Sequence, residues 1–135
     1  MIYVTRREVF SASHRLHNEN LSNEENKSIF GKCNNPNGHG HNYILEVVVA
    51  GEIDKKTGYV IDLKLLKTII IENVIKKVDH KHLNFDVDFM KDINPTTENF
   101  VIAIWNQLKN KIPSGRLYAI RLHETENNFI EYKGE

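Results

Sequence analysis

The stretch His39-Gly40-His41-Asn42-Tyr43-Ile44-Leu45-Glu46-Val47-Val48-Val49-Ala50 decides the fold. From Tyr43 onward it is apolar on both parities apart from Glu46. A sheet with one face in water alternates, so a strand over Asn42 to Ile53 is expected to be covered on both faces. Immediately upstream, His39 and His41 are two residues apart. In extended backbone their side chains leave the same face, about 6.5–7 Å apart. At that separation both rings can converge on one ion, with N–metal bonds of about 2 Å. Gly38 and Gly40 remove side-chain bulk around the pair. The only cysteine, Cys33, precedes it among Lys32, Asn34, Asn35 and Pro36. Polar neighbours place it in an exposed loop, which favours a reactive thiol over a small buried hydrophobe.

Upstream, Ile2 to Ala12 reads as a first strand interrupted by Arg6, Arg7 and Glu8. His14 follows on the parity of Phe10 and Ala12 and is the candidate third ligand. His17 to Asn37 is a long polar loop with a short helical turn near Asn23 to Ile29, and loops of this length are commonly functional. Downstream, Asp62 is a good N-cap. Leu63, Leu66, Ile69, Ile70, Val74 and Val78 then follow helical spacing. That helix is expected to end near Val78, before Asp79-His80. Phe85 to Asn94 is a connector. Thr96 or Thr97 caps a second helix, Glu98 favours its first turn, and Val101, Ile104, Trp105, Leu108 and Ile112 form its buried stripe. Arg116 to Glu124 is a third strand, with Tyr118, Ile120, Leu122 and Glu124 on one face. A turn at Thr125 to Asn128 leads to a fourth strand, Phe129 to Lys133.

The element order is therefore β-β-α-α-β-β, an α+β chain forming one domain over residues 1–135. Two amphipathic helices can cover one face of a four-stranded antiparallel sheet. The other face or the sheet edges are expected to be buried by further copies of the chain. Lys+Arg and Asp+Glu balance at 18 each, which argues against a nucleic-acid surface. No apolar run reaches the roughly 18–20 residues of a membrane span. The N-terminus lacks the basic-then-apolar order of a signal peptide. A single cysteine cannot form an internal disulfide, so a reducing cytosol is the expected setting.

The residues leave the chemistry of the cluster open. Three neutral histidines leave zinc an open, catalytic position. Cys33 as a fourth ligand would instead close a structural site and make a zinc-binding module. Asp79 can hold the tautomer of His80 and raise its basicity, or the pair is a helix end with a nearby carboxylate. Glu124 is either a binding group or a solvated carboxylate at a strand end.

Read together, Phe10-Ser-Ala-Ser-His14-Arg-Leu, Gly31-Lys-Cys33-Asn-Asn-Pro-Asn-Gly-His39-Gly-His41-Asn-Tyr43, Asp79-His80-Lys, Thr96-Thr97-Glu98-Asn99, Glu124-Thr-Glu-Asn-Asn and the terminal Tyr132-Lys-Gly-Glu resemble the 6-pyruvoyl-tetrahydropterin synthase family. The likeness runs almost end to end and keeps motif order. It implies the tunnelling fold, in which trimers close a barrel and two trimers stack into a homohexamer with active sites between subunits. It also implies 7,8-dihydroneopterin triphosphate as substrate and zinc on His14, His39 and His41. Cys33 would be the proton-abstracting thiolate, with Asp79 and His80 completing a triad, those two serving a neighbour's Cys33. Glu124 would anchor the pterin ring, and Thr96, Thr97 and Glu98 would line its pocket. Arg15, Lys32 and Lys81 are the nearby cations for the triphosphate. The related 6-carboxy-tetrahydropterin synthases of queuosine biosynthesis usually have three residues between the cysteine and the His-Gly-His. Here there are five, Asn34 to Gly38, as in the pyruvoyl type. Relatives that cleave the side chain are expected to carry Glu at the position of Cys33.

Overall fold

A computed structural model describes all residues, Met1–Glu135. Strand β1 spans Ile2–His14 and β2 spans His39–Gly51. β1 runs past the expected end at Ala12, and β2 begins before the expected Asn42 and stops at Gly51 rather than Ile53, so the histidines lie inside paired strands. The loop between them holds helix α1, Asn23–Phe30, and a 3-10 turn, Gly31–Asn34. Helix α1 starts with a capping box in which Ser22 and Glu25 each satisfy the other's backbone N–H.

Asp62 caps the next helix as expected, accepting from the Lys64 N–H. This helix runs as α2 over Leu63–Ile70, widens to a π turn over Ile71–Ile75, and returns to α as α3 over Lys76–Val78. Strand β3, Lys81–His82, follows directly. Thr96 caps helix α4, Thr97–Leu108. Strands β4, Arg116–His123, and β5, Phe129–Tyr132, complete the chain. No helix is long and apolar enough to cross a membrane.

The sheet has five strands in the order β3-β1-β2-β4-β5. Four strands, all antiparallel, were expected. The fifth, β3, pairs with β1 in parallel at Ala12 and Ser13, so the sheet is mixed. Two residues carry no readable period, which is why β3 is invisible in the sequence. A β-bulge between Val48 and Val49 corrects a second expectation. It makes Tyr118 the extra residue of β4 and takes it off the face of Ile120 and Leu122. Tyr118 meets Tyr3 edge-on instead, with centroids 4.7 Å apart.

One sheet face packs on the helices. Phe10, Tyr43, Leu45, Val47, Ile120 and Leu122 meet Leu66, Ile70, Val74, Phe100 and Ile104 there, all essentially buried. Phe10 stacks on Tyr43 at 5.1 Å, and Phe100 closes edge-on against both. On the opposite face Val48, Ala50 and Ala119 are buried, whereas Tyr3, Val9 and Phe129 are exposed. β1 pairs with β3 only at Ala12 and Ser13, so most of its outer edge is free, as is the outer edge of β5.

The aromatic triad sits beneath the histidines. Phe100→Ala is expected to lower stability by about 3–5 kcal/mol, the usual cost of deleting a buried phenylalanine, as read from the urea unfolding midpoint.

Candidate functional site

The β1–β2 register assembles the centre. His14 lies opposite His39, and Ala12 lies opposite His41, so the three imidazoles share the helix-facing side of two adjacent strands. Each ring stands edge-on to the other two, with centroids 4.8, 5.1 and 4.7 Å apart. One nitrogen from each ring lies within 4.8 Å of the others. His14 is 1% exposed. Its Nδ1–H donates to the Pro95 carbonyl at 2.8 Å, which fixes the tautomer and leaves Nε2, 3.3 Å from His39 Nε2, unprotonated as a ligand atom. Two other buried ring nitrogens, His39 Nδ1 and His41 Nε2, have no hydrogen-bond partner. Buried polar atoms are rarely left unpaired. Three converging imidazoles with orphaned nitrogens fit a bound metal ion.

Burial, the largest influence, holds His14 below the ordinary histidine value of 6.5, although the Pro95 carbonyl pulls it back up. Burial lowers His41 as well, opposed by the nearby Glu124 carboxylate. Both rings are thus biased to the neutral form that a metal requires.

Glu124 joins the centre to a second feature. One carboxylate oxygen lies 3.7 Å from His41 Nε2, and the other accepts a short hydrogen bond from the Thr97 hydroxyl. Beyond it opens a cavity of about 300 Å³ lined by Thr96, Thr97, Glu98 and Glu124, with Leu16, Asn128 and Ile130 completing the wall. The four residues marked as pocket-forming in the sequence therefore meet beside the histidines.

Cys33 is half-buried in the 3-10 turn, and its carbonyl accepts from the Leu16 N–H at 2.8 Å. Asp79 and His80 lie elsewhere. Asp79 Oδ1 accepts from the Ser11 N–H at 3.0 Å and lies 3.0 Å from His80 Nδ1. His80 adopts φ 60, a strained conformation for a non-glycine residue, and its side chain is 82% exposed. It borders a second cavity of about 500 Å³ with Ser11, His41, Asn42, Lys81, His82 and Asp86. Cys33 does not line that cavity. Of the proposed cations, Lys81 lies on its rim, while Arg15 Nε donates to the Asn34 carbonyl at 3.1 Å.

Sequence reading overlooked several residues around the centre. Asn84 donates to the Arg15 carbonyl at 2.8 Å and accepts from its N–H at 2.9 Å. Gly38, already marked in the sequence for its lack of bulk, has φ +75, and a Cβ there would come within 2.9 Å of both the His14 carbonyl and His82 Nε2. Pro95 acts through its carbonyl alone. Asparagines and backbone groups carry no pattern by which a sequence could single them out.

Because His14 and His41 resist protonation in the fold, the unfolded chain takes up protons first as pH falls below 6.5. Stability from these groups is full above that value and is lost toward the lower folded-state values. Urea midpoints of chelator-treated protein are expected to drop between about pH 7.5 and about pH 5.5, and His14→Gln should reduce the drop.

The family described as 6-pyruvoyl tetrahydropterin synthase matches residues 3–135. The 6-pyruvoyl tetrahydrobiopterin synthase of Homo sapiens is 52% identical over 132 residues, covering 98% of this chain and 91% of that protein. The enzyme of the same name from Dictyostelium discoideum is 50% identical over 136 residues, covering 99% and 97%. The solved structure of Caenorhabditis elegans 6-pyruvoyl tetrahydropterin synthase aligns with a TM-score of 0.93 at 44% identity, covering 99% of this chain and 96% of that one. With these likenesses spanning nearly its whole length, the chain belongs to the 6-pyruvoyl tetrahydropterin synthase family.

Proposed function

We propose that this protein is a zinc-dependent lyase that converts 7,8-dihydroneopterin triphosphate to 6-pyruvoyl-tetrahydropterin with release of triphosphate. The observation that carries the reading is Glu124. Its carboxylate lies between the three-histidine centre and the cavity walled by Thr96, Thr97 and Glu98. A carboxylate accepts two N–H donors side by side, as the edge of a pterin ring offers them. The Thr97 hydroxyl orients Glu124 for that contact. A ring anchored there would direct its side chain toward His14, His39 and His41.

Zinc held by these histidines would polarise the side-chain hydroxyls of the substrate. The remaining work falls to the chain itself. The Cys33 thiolate removes a proton from side-chain carbon. Asp79 holds the His80 imidazole through Nδ1, so that the ring can relay the proton. His80, with Asp79 against its Nδ1, lines a different cavity from Glu124 and points into solvent, which supports their acting on the Cys33 of a neighbouring copy. The free edges of β1 and β5 and the exposed Val9 and Phe129 support assembly into a closed barrel, with a hexamer as the complete form. Cytoplasmic location is part of the same reading.

The decisive experiment is product analysis by mass spectrometry after incubating the zinc-loaded protein with 7,8-dihydroneopterin triphosphate. A pterin retaining its three-carbon side chain as a pyruvoyl group, with triphosphate released, is the expected outcome. A carboxy-pterin with acetaldehyde would instead place the protein in queuosine biosynthesis, and zinc binding without turnover would make it a binding module. Chelation should abolish activity and added zinc restore it. Cys33→Ala is expected to keep its metal while losing about 10²–10⁴-fold in kcat. Sedimentation as a monodisperse monomer would overturn the barrel.

A further inference from the structure

The three residues after the metal ligand His14 leave the sheet, yet nearly every backbone polar group in them has a partner. Arg15 N–H and C=O are both taken by the Asn84 side chain, at 2.9 and 2.8 Å. Leu16 N–H donates to the Cys33 carbonyl at 2.8 Å, and Leu16 C=O accepts from Asn34 Nδ2 at 2.8 Å. His17 N–H donates to Asn94 Oδ1 at 3.1 Å. A segment outside helix or sheet must find its hydrogen bonds this way, and here the partners come from the parts of the site that have to be held in register.

Asn34 is central to this arrangement. It is 5% exposed and follows Cys33 directly in the 3-10 turn. Because the Leu16 carbonyl can only accept, the Asn34 amide nitrogen must face it. The same nitrogen lies 3.0 Å from His17 Nδ1, which accepts its second proton. The Asn34 carbonyl in turn accepts from Arg15 Nε. The thiol turn is therefore stitched to the chain just beyond His14 through the Cys33 carbonyl and through Asn34.

We infer that Asn34 is a positioning residue for the thiol, fixing Cys33 relative to the metal-binding end of β1 through the buried bonds to Leu16 and His17. The inference rests on Cys33 being the proton-abstracting group. Without these bonds the turn keeps its sequence but loses its registration, and a base misplaced by about 1 Å costs about 10²-fold in rate.

The test compares wild type with Asn34→Ala and Asn34→Asp. The aspartate keeps the volume but removes the N–H donors, and it serves should the alanine variant not fold. Four quantities are read: bound zinc per chain, KM, kcat, and the rate of Cys33 alkylation by iodoacetamide followed by peptide mass. The expected result is unchanged zinc content and KM, a fall of about 10²-fold in kcat, and severalfold faster alkylation as the turn opens. Wild-type kcat and alkylation rate in a folded variant would overturn the inference. So would loss of zinc together with activity in both variants, which assigns Asn34 a purely structural role. Cys33→Ala is run alongside. Should that variant remain active, the base reading fails on its own, while alkylation still reports whether Asn34 holds the thiol.

Discussion

The antiparallel register of β1 and β2 is the constraint on which the molecule depends. It places His14 opposite His39 and Ala12 opposite His41, and so gathers three imidazoles on one side of two neighbouring strands. A slip of one residue would send an entire histidine set to the opposite face. The register is held along the pair by burial, since Phe10, Tyr43, Leu45 and Val47 all point into the same core. Core packing and the geometry of the three-histidine centre are therefore set by the same choice of pairing.

The core beneath the site is aromatic, and the ring around it is polar. Phe10, Tyr43 and Phe100 form a rigid floor, and the Tyr43 hydroxyl reaches to 3.4 Å from His14 Nδ1. Burial there biases His14 and His41 toward the neutral form. It also suppresses ionisation of the Tyr43 phenol, chiefly by desolvation and then through the charge of Glu124. Around this floor Asn34, Asn84 and the carbonyl of Pro95 fix the backbone and the tautomer. Buried polar groups of this kind are costly unless fully paired, which ties the precision of the site to the completeness of its hydrogen bonding.

The two faces of the sheet divide the chemistry. Glu124, Thr97 and the histidines meet beside α4, while Asp79 and His80 are pinned at the β1–β3 edge, where His80 borders a second cavity that His41 also lines. The parallel strand β3 makes this second arrangement possible. His80 N–H donates to Ser11 and Leu83 N–H to Ser13, so the segment runs alongside β1 and delivers His80 outward in a strained conformation. One chain thus presents two separate groupings, the histidines with Glu124 and Thr97, and Asp79 with His80.

Much of this was legible from residues alone. Apolar periodicity defined four of the five strands and both long helices, and polar cap residues marked the helix starts at Asp62 and at Thr96 or Thr97, of which Thr96 is the cap, because those signals are local. Spacing singled out His39 and His41, and parity singled out His14, because a strand repeats every two residues. The motifs marked Cys33, Asp79, His80, Thr96, Thr97, Glu98 and Glu124 before their positions were known. Only the tertiary structure decided that Glu124 lies against Thr97 and His41, that β3 joins the sheet, and that a bulge redirects Tyr118. It alone decided that Asn34 and Asn84 brace the chain beyond His14. These outcomes depend on contacts between residues far apart in the chain, made by side chains and carbonyls whose local sequence has no period. The sequence by itself determined the strand, cap and helix signals and singled out the histidines, because those patterns are local; packing across the β1–β2 pair and onto α4 decided which side chains meet, because those contacts join residues far apart in the chain.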